Sequence, residues 1–396
     1  TNEIHLITRK NNMKMIGVAI ALAPFISPMA IANYQEQTVE PNNITFEFKK
    51  VADIPDYPRV VSDSNHVIGF VDSNSTWPDT PDFDVRAMFR WSESNGVEWL
   101  INDDIIRSEP LDINNSGDAT AKVCDSNTCY SAIWTKKGEV QSLQDEVDTP
   151  IQKFIEENEL GMADQMIQES ISINESGKIA GTSVFPNMVG ARSTLAWRWD
   201  EKSGLEILES TSDNSMSEAT DLNNKSLVVG SSHGSEINNE TATYWDKKGK
   251  RTQVILDQTD YPWGTLATAA NNSGLMTGVD RMSYASPWRY NINSKQRLPM
   301  EESPYGGTRT THVLENDYIA GATSSSFDSG DLFLRPVLWD SKGNIYDLND
   351  EFNDPENYLA GWFGINTSLL MATSLRPKSG GYYEGAAVYQ LVVVQK

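Results

Sequence analysis

The sequence predicts an all-β protein, a seven-bladed β-propeller of four-stranded antiparallel blades. Two observations favour this fold: a short phrase recurs seven times along the 396 residues, and a second phrase ending in an aromatic residue follows each copy. A period of roughly fifty residues that fills the chain is typical of a supersecondary unit that must stack on its neighbours to bury its faces. The anchor positions of the first phrase are Ser62, Asn114, Asn174, Asn223, Asn271, Leu314 and Asn366.

The first phrase predicts a tight hairpin. Its clearest copy, residues 173–181, reads Ile-Asn-Glu-Ser-Gly-Lys-Ile-Ala-Gly. The first strand ends at the Asn, the Asn-x-Ser-Gly turn tolerates positive φ, and the second strand continues to a small residue. We expect small residues there because backbones crowd near a propeller axis. They are Gly69, Ala121, Gly181, Gly230, Gly278, Gly321 and Thr373.

The second phrase predicts the two remaining strands. The third strand ends at an aromatic residue, a turn of the Asp-x-x-Gly type follows, and the fourth strand ends near a leucine. We interpret the aromatic residues as core wedges between blades, not as ligand contacts. They are Trp91, Trp134, Trp199, Trp245, Trp288, Trp339 and Tyr389.

The last copy ends at Lys396 before a fourth strand. Residues 44–51 alternate as a strand ahead of the first copy, so we expect the N-terminal strand to complete the last blade and close the ring. A right-handed β-helix or open solenoid is the alternative architecture. Its coils are usually shorter and lack paired hairpin turns.

The N-terminal region is typical of a signal peptide. A basic start near Met13 precedes an apolar stretch, and Ala30-Ile31-Ala32 provides a cleavage site. We therefore expect residues 1–32 to be an upstream extension with a signal peptide, and residues 33–396 to form one propeller domain. The apolar stretch is too short to span a bilayer, so no membrane span is expected in the mature chain. An uncleaved anchor helix is the alternative.

The formal net charge is -23, and removal of residues 1–32, which contain three basic residues and one acidic residue, makes it -25. Such a surface repels phosphate backbones, which disfavours nucleic-acid binding. We interpret the acidity as a source of solubility and expect a monomer.

The only cysteines, Cys124 and Cys129, frame a polar turn, and in an exported protein they predict a local disulfide. Free thiols or a redox pair are the alternative.

The two phrases together resemble the bacterial extracellular HAF-repeat proteins and related secreted proteins of unknown function from marine Gram-negative bacteria. The resemblance covers about residues 58–394. This chain lacks the His that precedes Ala in that family's second phrase, and has Arg86, Ser131, Leu195 and Thr241 there. The resemblance implies a β-rich repeat fold in a secreted, periplasmic or cell-envelope protein, without an established catalytic residue.

Function is expected in the connections that the copies do not share. In a four-stranded meander, the connections between strands two and three and between strands four and one lie at one end, and here they vary in length and chemistry. Aromatic residues beside carboxylates suit carbohydrate stacking or protein anchoring. Alternatively, they pack the loops onto the disc. The candidates are Trp77, Asp79, Asp82, Asp84, Tyr261, Trp263, Tyr284 and Tyr305.

One insert of this variable set, residues 144–169, predicts a helix as a lid or buttress. Thr149-Pro150-Ile151-Gln152 has capping-box chemistry with Pro at the first helical position, and an apolar stripe follows.

No motif indicates catalysis or a cofactor. Residues 326–333 resemble a single sialidase-type Asp-box, and His66, His233 and His312 lack the spacing of metal ligands. No EF-hand pattern supports calcium, although acidic loops leave it open. We therefore expect a secreted, non-enzymatic scaffold that binds a protein or glycan. The alternatives are a polysaccharide hydrolase or lyase with paired carboxylates on the same face, and a structural protein of the cell envelope.

Overall fold

The computed structural model describes residues 44–395 except 74, 76, 79, 81–84, 209–215, 235–236, 255, 257–263, 281–285, 305–306, 327–331 and 380–384. The described residues belong to one compact unit, Glu36–Lys396. Strands dominate it, and none of its described helices is long and apolar enough to cross a membrane.

The strands follow one another in seven structural repeats, numbered here 1 to 7, after an N-terminal strand β1. The bounds are β1 Ile44–Ile54; repeat 1, β2 Tyr57–Val61, β3 Val67–Asp72, β4 Arg86–Ser92 and β5 Gly96–Leu100; repeat 2, β6 Arg107–Ile113, β7 Ala119–Cys124, β8 Cys129–Trp134 and β9 Val140–Ser142; repeat 3, β10 Ile167–Ile173, β11 Ile179–Pro186, β12 Arg192–Asp200 and β13 Gly204–Ile207; repeat 4, β14 Ser217–Leu222, β15 Val228–Gly234, β16 Ile237–Trp245 and β17 Arg251–Gln253; repeat 5, β18 Thr265–Ala270, β19 Leu275–Asp280, β20 Pro287–Asn291 and β21 Gln296–Leu298; repeat 6, β22 Thr308–Val313, β23 Ile319–Ser326, β24 Leu332–Trp339 and β25 Ile345–Asp347; and repeat 7, β26 Asn357–Ile365, β27 Leu370–Pro377 and β28 Ala386–Gln395.

Each repeat is an antiparallel meander. Repeats 3 to 6 form separate four-stranded sheets, and repeats 1 and 2 share one sheet through a single parallel residue pair, Arg86 with Arg107. In repeat 7 the fourth position is taken by β1, which pairs with β28 from Ile44 opposite Gln395 to Ile54 opposite Ala386. The two ends of the described chain therefore share one sheet.

In repeats 1, 2, 4, 5 and 6 the small residue in the second strand lies opposite a bulge in the first strand. In these five repeats the register between the two strands shifts two to four residues before the anchor, whereas in repeat 3 it shifts four to six residues before it. The bulge pushes a carbonyl toward the facing residue, so a methyl group on Gly278 would overlap the oxygen of Leu266 and the ring of Trp288. We predicted that crowding between blades requires the small residue. This prediction was wrong, because the close backbone belongs to the same sheet.

The anchor asparagines hold neighbouring repeats together. Their amides donate to the backbone carbonyl of the next anchor residue at 2.8 to 3.4 Å, and their side-chain oxygens accept the N–H four residues later. The third residue after every anchor has positive φ, as the turn chemistry predicts. The donating residues are Asn114, Asn174, Asn223, Asn271 and Asn366, the last of which bonds Ser62.

Third strands supply the core and a second set of links. The predicted wedge residues are all buried, which confirms their core role. Buried Arg198 pairs with Glu206 and donates to the carbonyls of Ser226, Asp246 and Lys247 in repeat 4. Arg90 and Arg289 make the same kind of contact from repeats 1 and 5.

The predicted helix is present as α1, Thr149–Glu157, and a second short helix, α2, spans Leu348–Glu351. Ile151 and Ile155 of α1 are buried in the core between repeats 2 and 3, so it acts as a buttress. The predicted capping box is wrong. A π-helical turn over 144–148 continues into α1, so Thr149 is already helical and no side chain caps the helix.

Candidate functional site

The predicted loop face is described at one of its eight candidate residues. Trp77 lies in the connection between β3 and β4 and is half-buried. The other seven candidates lie outside the described residues and stay predictions. They are Asp79, Asp82, Asp84, Tyr261, Trp263, Tyr284 and Tyr305.

Trp77 lines a cavity of about 270 Å³ where repeats 7 and 1 meet, which we call the loop-end cavity. Asp53 and Asp56 contribute carboxylates to it, and Leu375 and Pro78 contribute apolar surface. Asp53 lies at the end of β1, Asp56 in the β1–β2 connection, Trp77 and Pro78 in the β3–β4 connection, and Leu375 near the end of β27, all at the end of the sheets where the variable connections lie. The cavity therefore joins an aromatic ring to two hydrogen-bond acceptors.

The walls of the loop-end cavity are held by local hydrogen bonds. Ser374 Oγ donates to the carbonyl of Asp56 at 2.8 Å, which ties β27 to the β1–β2 connection. Thr80 Oγ1 donates to the carbonyl of Trp77 at 2.5 Å, and the N–H of Trp77 donates to Ser75 Oγ at 3.3 Å. The tryptophan is thus placed by its own loop.

A second cavity of about 420 Å³ shares Leu375 with the loop-end cavity. Glu356 and Lys378 line it, and Lys378 Nζ donates to the carbonyl of Asp354 at 2.6 Å and lies 5.2 Å from the centre of the Tyr358 ring. Because Leu375 borders both cavities, they form neighbouring depressions on the same end of repeat 7.

A third cavity, of about 370 Å³, is lined by the ends of the first strands of all seven repeats and by the residues that follow them. We call it the first-strand cavity. It extends to the short turns after the anchors, at the opposite end of the sheets from the predicted loop face. The first strand is therefore the innermost strand, a point that the sequence left open.

Two aspartates inside the first-strand cavity are joined by one serine. Ser172 Oγ lies 2.7 Å from Asp112 Oδ2 and 3.2 Å from Asp221 Oδ1. Asp112 also accepts the N–H of Ile173 in repeat 3, and Asp221 accepts the N–H of Ala270 in repeat 5, so each carboxylate links the first strands of two neighbouring repeats.

Burial governs the protonation of this group. It raises the pKa of Asp112 to about 7, and it also raises the pKa of Asp221, although hydrogen bonds to both carboxylates oppose the shift. Ser172 has one hydroxyl hydrogen for two carboxylates. A proton on Asp112 lets Asp112 donate to Ser172 and Ser172 donate to Asp221, which completes the chain of hydrogen bonds.

His312 occupies the equivalent position in repeat 6. Burial lowers the pKa of His312 to about 4, so the ring is neutral at pH 7. Thr311 Oγ1 donates to the carbonyl of Ala320 and therefore accepts from His312 Nδ1, 2.9 Å away. Within the described part of the chain, Nε2 has no partner and remains an acceptor.

Asp112, Ser172 and Asp221 were not among the site residues predicted from the sequence, although aligned copies show them at one position. All three lie two residues before an anchor, where the other repeats have Val60, Ala269, His312 and Gly364. A polar residue occurs at this one position in four of the seven copies, which is the signal that the aligned copies contain. His66 and His233 lie elsewhere, and no group of three or more metal-ligating residues occurs among the described residues.

The predicted disulfide between Cys124 and Cys129 is confirmed at the start of the β7–β8 connection. Such a bond is compatible with an oxidising compartment.

No protein-family model and no curated protein matches the chain. Among solved structures, it is similar to the β-propeller domain of the Trilobed protease from Pyrococcus furiosus, with a TM-score of 0.54 and 11% identity over 87% of this chain and 96% of that one. It also aligns with a chain of the Mitotic Checkpoint Complex, with a TM-score of 0.47 and 10% identity over 96% of this chain and 99% of that one. A fungal alcohol oxidase of the AA5 family aligns with a TM-score of 0.46 and 12% identity over 88% of this chain and 76% of that one. The first likeness shows the fold alone, and with the four-stranded sheets it identifies a β-propeller.

Proposed function

We propose that the protein is a secreted seven-bladed β-propeller that binds a glycan or protein ligand through its variable-loop face. The loop-end cavity is the observation that carries this proposal, because it places a half-buried tryptophan beside two carboxylates on that face. Exposed aromatic rings flanked by hydrogen-bonding groups are common anchors of binding sites.

Ring closure is supported by contacts between the first and last repeats. β1 pairs with β28 within one sheet, Asn366 donates to the carbonyl of Ser62, and the N–H of Thr367 donates to Asp63 Oδ1 at 2.9 Å. We infer that the seven repeats are seven blades and that β1 closes the ring. Closure removes sheet edges that would otherwise pair with other chains and so supports a monomer.

The chemistry of the loop-end cavity favours a glycan as the ligand. A sugar ring stacks its C–H face on an indole, and the carboxylates of Asp53 and Asp56 accept its hydroxyl hydrogens. At about 270 Å³ the cavity is slightly smaller than the ~300 Å³ lower limit of typical ligand pockets, so it suits one residue of a polymer. The disulfide supports export to the periplasm or beyond.

Native electrophoresis in gels that contain dextran, xylan or alginate tests this proposal. We expect at least one polysaccharide to retard the protein, Trp77→Ala to abolish the retardation, and Trp77→Phe to retain part of it through stacking. Trp99→Ala is the matched control, because Trp99 is a half-buried tryptophan of the outer strand β5. The triple replacement of Trp77, Tyr261 and Trp263 by alanine tests the whole predicted face.

Unchanged retardation of the Trp77→Ala and triple variants would contradict the assignment of the loop face. If none of the three polysaccharides retards the wild-type protein, the glycan ligand is contradicted in favour of a protein ligand. Capture from the native culture with wild-type and triple-variant baits then decides whether a protein binds the same face.

A polysaccharide hydrolase or lyase is the second candidate. Asp53 and Asp56 line one concave site, which is the arrangement that glycoside hydrolysis requires of a carboxylate pair. Release of new reducing ends from the retarding polysaccharide, lost in Asp53→Asn and Asp56→Asn, would support it. Asp112 and Asp221 do not support this candidate, because their oxygens already accept backbone N–H groups at the other end of the sheets.

A further inference from the structure

The first-strand cavity has a one-sided distribution of charge. Six carboxylates line it, whereas none of its lining residues is a lysine or arginine. One of the six, Glu169, forms an ion pair with Arg192 outside the lining. A cavity with one sign of charge and walls of low dielectric constant concentrates ions of the opposite sign. The six carboxylates belong to Asp63, Asp112, Glu169, Glu175, Asp221 and Glu315.

Three titratable side chains inside the cavity, Asp112, Asp221 and His312, offer hydrogen-bond acceptors. When both are ionised, Asp112 and Asp221 each accept two backbone N–H groups and share the single hydroxyl hydrogen of Ser172, so about three of their roughly eight acceptor sites remain. His312 Nε2 adds an acceptor that has no partner among the described residues. A ligand that satisfies these groups must supply several N–H or O–H donors.

The carboxylates lie at two levels of the cavity. Asp112 and Asp221 lie two residues before their anchors, and Glu175 and Glu315 lie one residue after theirs, at the mouth. They do not converge on one point, and no group of three metal-ligating side chains is found in the described ranges. This separation suits a ligand with spaced positive charges better than a single metal ion.

Apolar residues line the cavity beside these two levels, three residues before an anchor or one residue before it. Leu111, Ile171 and Val313 line the cavity together with the carboxylates. An alkyl chain would contact them while its ends remain near the charged groups. At about 370 Å³, the cavity is also within the usual range of small-molecule sites.

We propose that the first-strand cavity binds a small alkyl polyamine, with one ammonium group at the Asp112–Ser172–Asp221 group and another at the mouth beside Glu175 and Glu315. Each ammonium group donates to carboxylates, and the methylene spacer packs on the apolar lining. This site is independent of the glycan or protein site, since it lies at the other end of the sheets.

Isothermal titration calorimetry of the purified protein at low salt tests the proposal, with putrescine and spermidine as probes. We expect saturable binding of spermidine at one site, weaker binding of putrescine, and no heat from 1,4-butanediol, which has the length of putrescine without its charges. Equal binding of butanediol and putrescine would overturn the proposal. So would displacement of spermidine by an equimolar amount of calcium, which would indicate a metal site.

Two variants assign the binding to this cavity. Asp221→Asn should weaken spermidine binding at least about tenfold, because it removes a charged hydrogen bond to the ammonium group. Glu315→Gln at the exposed mouth should weaken it several-fold without affecting folding, so it remains informative if Asp221→Asn unfolds. Glu201→Gln, an exposed turn residue at the same end of repeat 3, is the control. Equal losses in Glu201→Gln and Glu315→Gln would show nonspecific attraction and refute the site.

Discussion

Replacement of Asn223 by alanine should destabilise the protein by about 3 kcal/mol. Asn223 is 8% exposed; its amide donates to the carbonyl of Asn271 at 2.9 Å, and its oxygen accepts the N–H groups of Lys225 and Leu227 at 2.9 and 3.0 Å. Each bond contributes about 1 kcal/mol, and Leu227 N–H would be left without this acceptor. The loss combines a link between repeats 4 and 5 with the support of one turn.

Thermal unfolding measured by circular dichroism and calorimetry tests this value. With an unfolding entropy of about 2.1 cal/mol/K per residue over roughly 350 residues, 3 kcal/mol lowers Tm by about 4 °C. Asn127→Ala, at an exposed position in the disulfide loop, is the control and should shift Tm by less than about 1 °C. Conversely, Ser62→Asn places an amide at an anchor that lacks one and should raise Tm by about 1 °C. Equal Tm values for Asn223→Ala and Asn127→Ala would refute the reasoning.

Three further predictions concern other parts of the blades. Burial raises the pKa of Asp112 from 3.8 to about 7, so between these pH values the folded protein holds a proton that the unfolded chain has released. Proton binding by Asp112 therefore stabilises the fold; this contribution is complete below about pH 4 and is lost as the pH rises through 7. Asp112→Asn should weaken the dependence of Tm on pH between pH 4 and 8. An unchanged slope would contradict the raised pKa of Asp112. Arg198→Lys should cost about 2 kcal/mol in urea unfolding, because lysine cannot reach Glu206 and three carbonyls of repeat 4 together; a wild-type midpoint would disprove this link. Gly278→Ala should cost about 2 kcal/mol or more, since its methyl group overlaps the oxygen of Leu266, whereas Gly204→Ser in an open turn should cost less; the order of the two Tm values checks this.

Most of the β-propeller construction could be predicted from the sequence because it repeats. The hairpin turns, the buried aromatic wedges and the four strands of each repeat follow from local residue patterns that occur seven times. The helix α1 was also predictable from its apolar stripe. The capping box predicted for this helix was wrong, because a π-helical turn extends the helix before Thr149. The preceding Asp148 does not cap the helix and accepts hydrogen bonds from Ser131 and Gln168.

Most of the candidate site on the loop face could not be predicted from the sequence. The sequence identifies Trp77 as an aromatic residue in a variable connection. Asp53 and Asp56 could not be assigned to the same site, because they are distant in sequence from Leu375 and Gly385, which complete the cavity. Only the pairing of β1 with β28 brings these two parts of the chain together.

Periodic residues alone therefore establish the repeating sheet architecture, since hairpin turns and wedge residues act within or next to one repeat. The first-strand cavity has a different origin: Asp112, Ser172, Asp221 and His312 come from four repeats, and each is unremarkable in its own strand. Their contacts depend on the innermost position of the first strands and on the bulges that turn them. Such long-range geometry is set by packing between repeats, which no local pattern encodes.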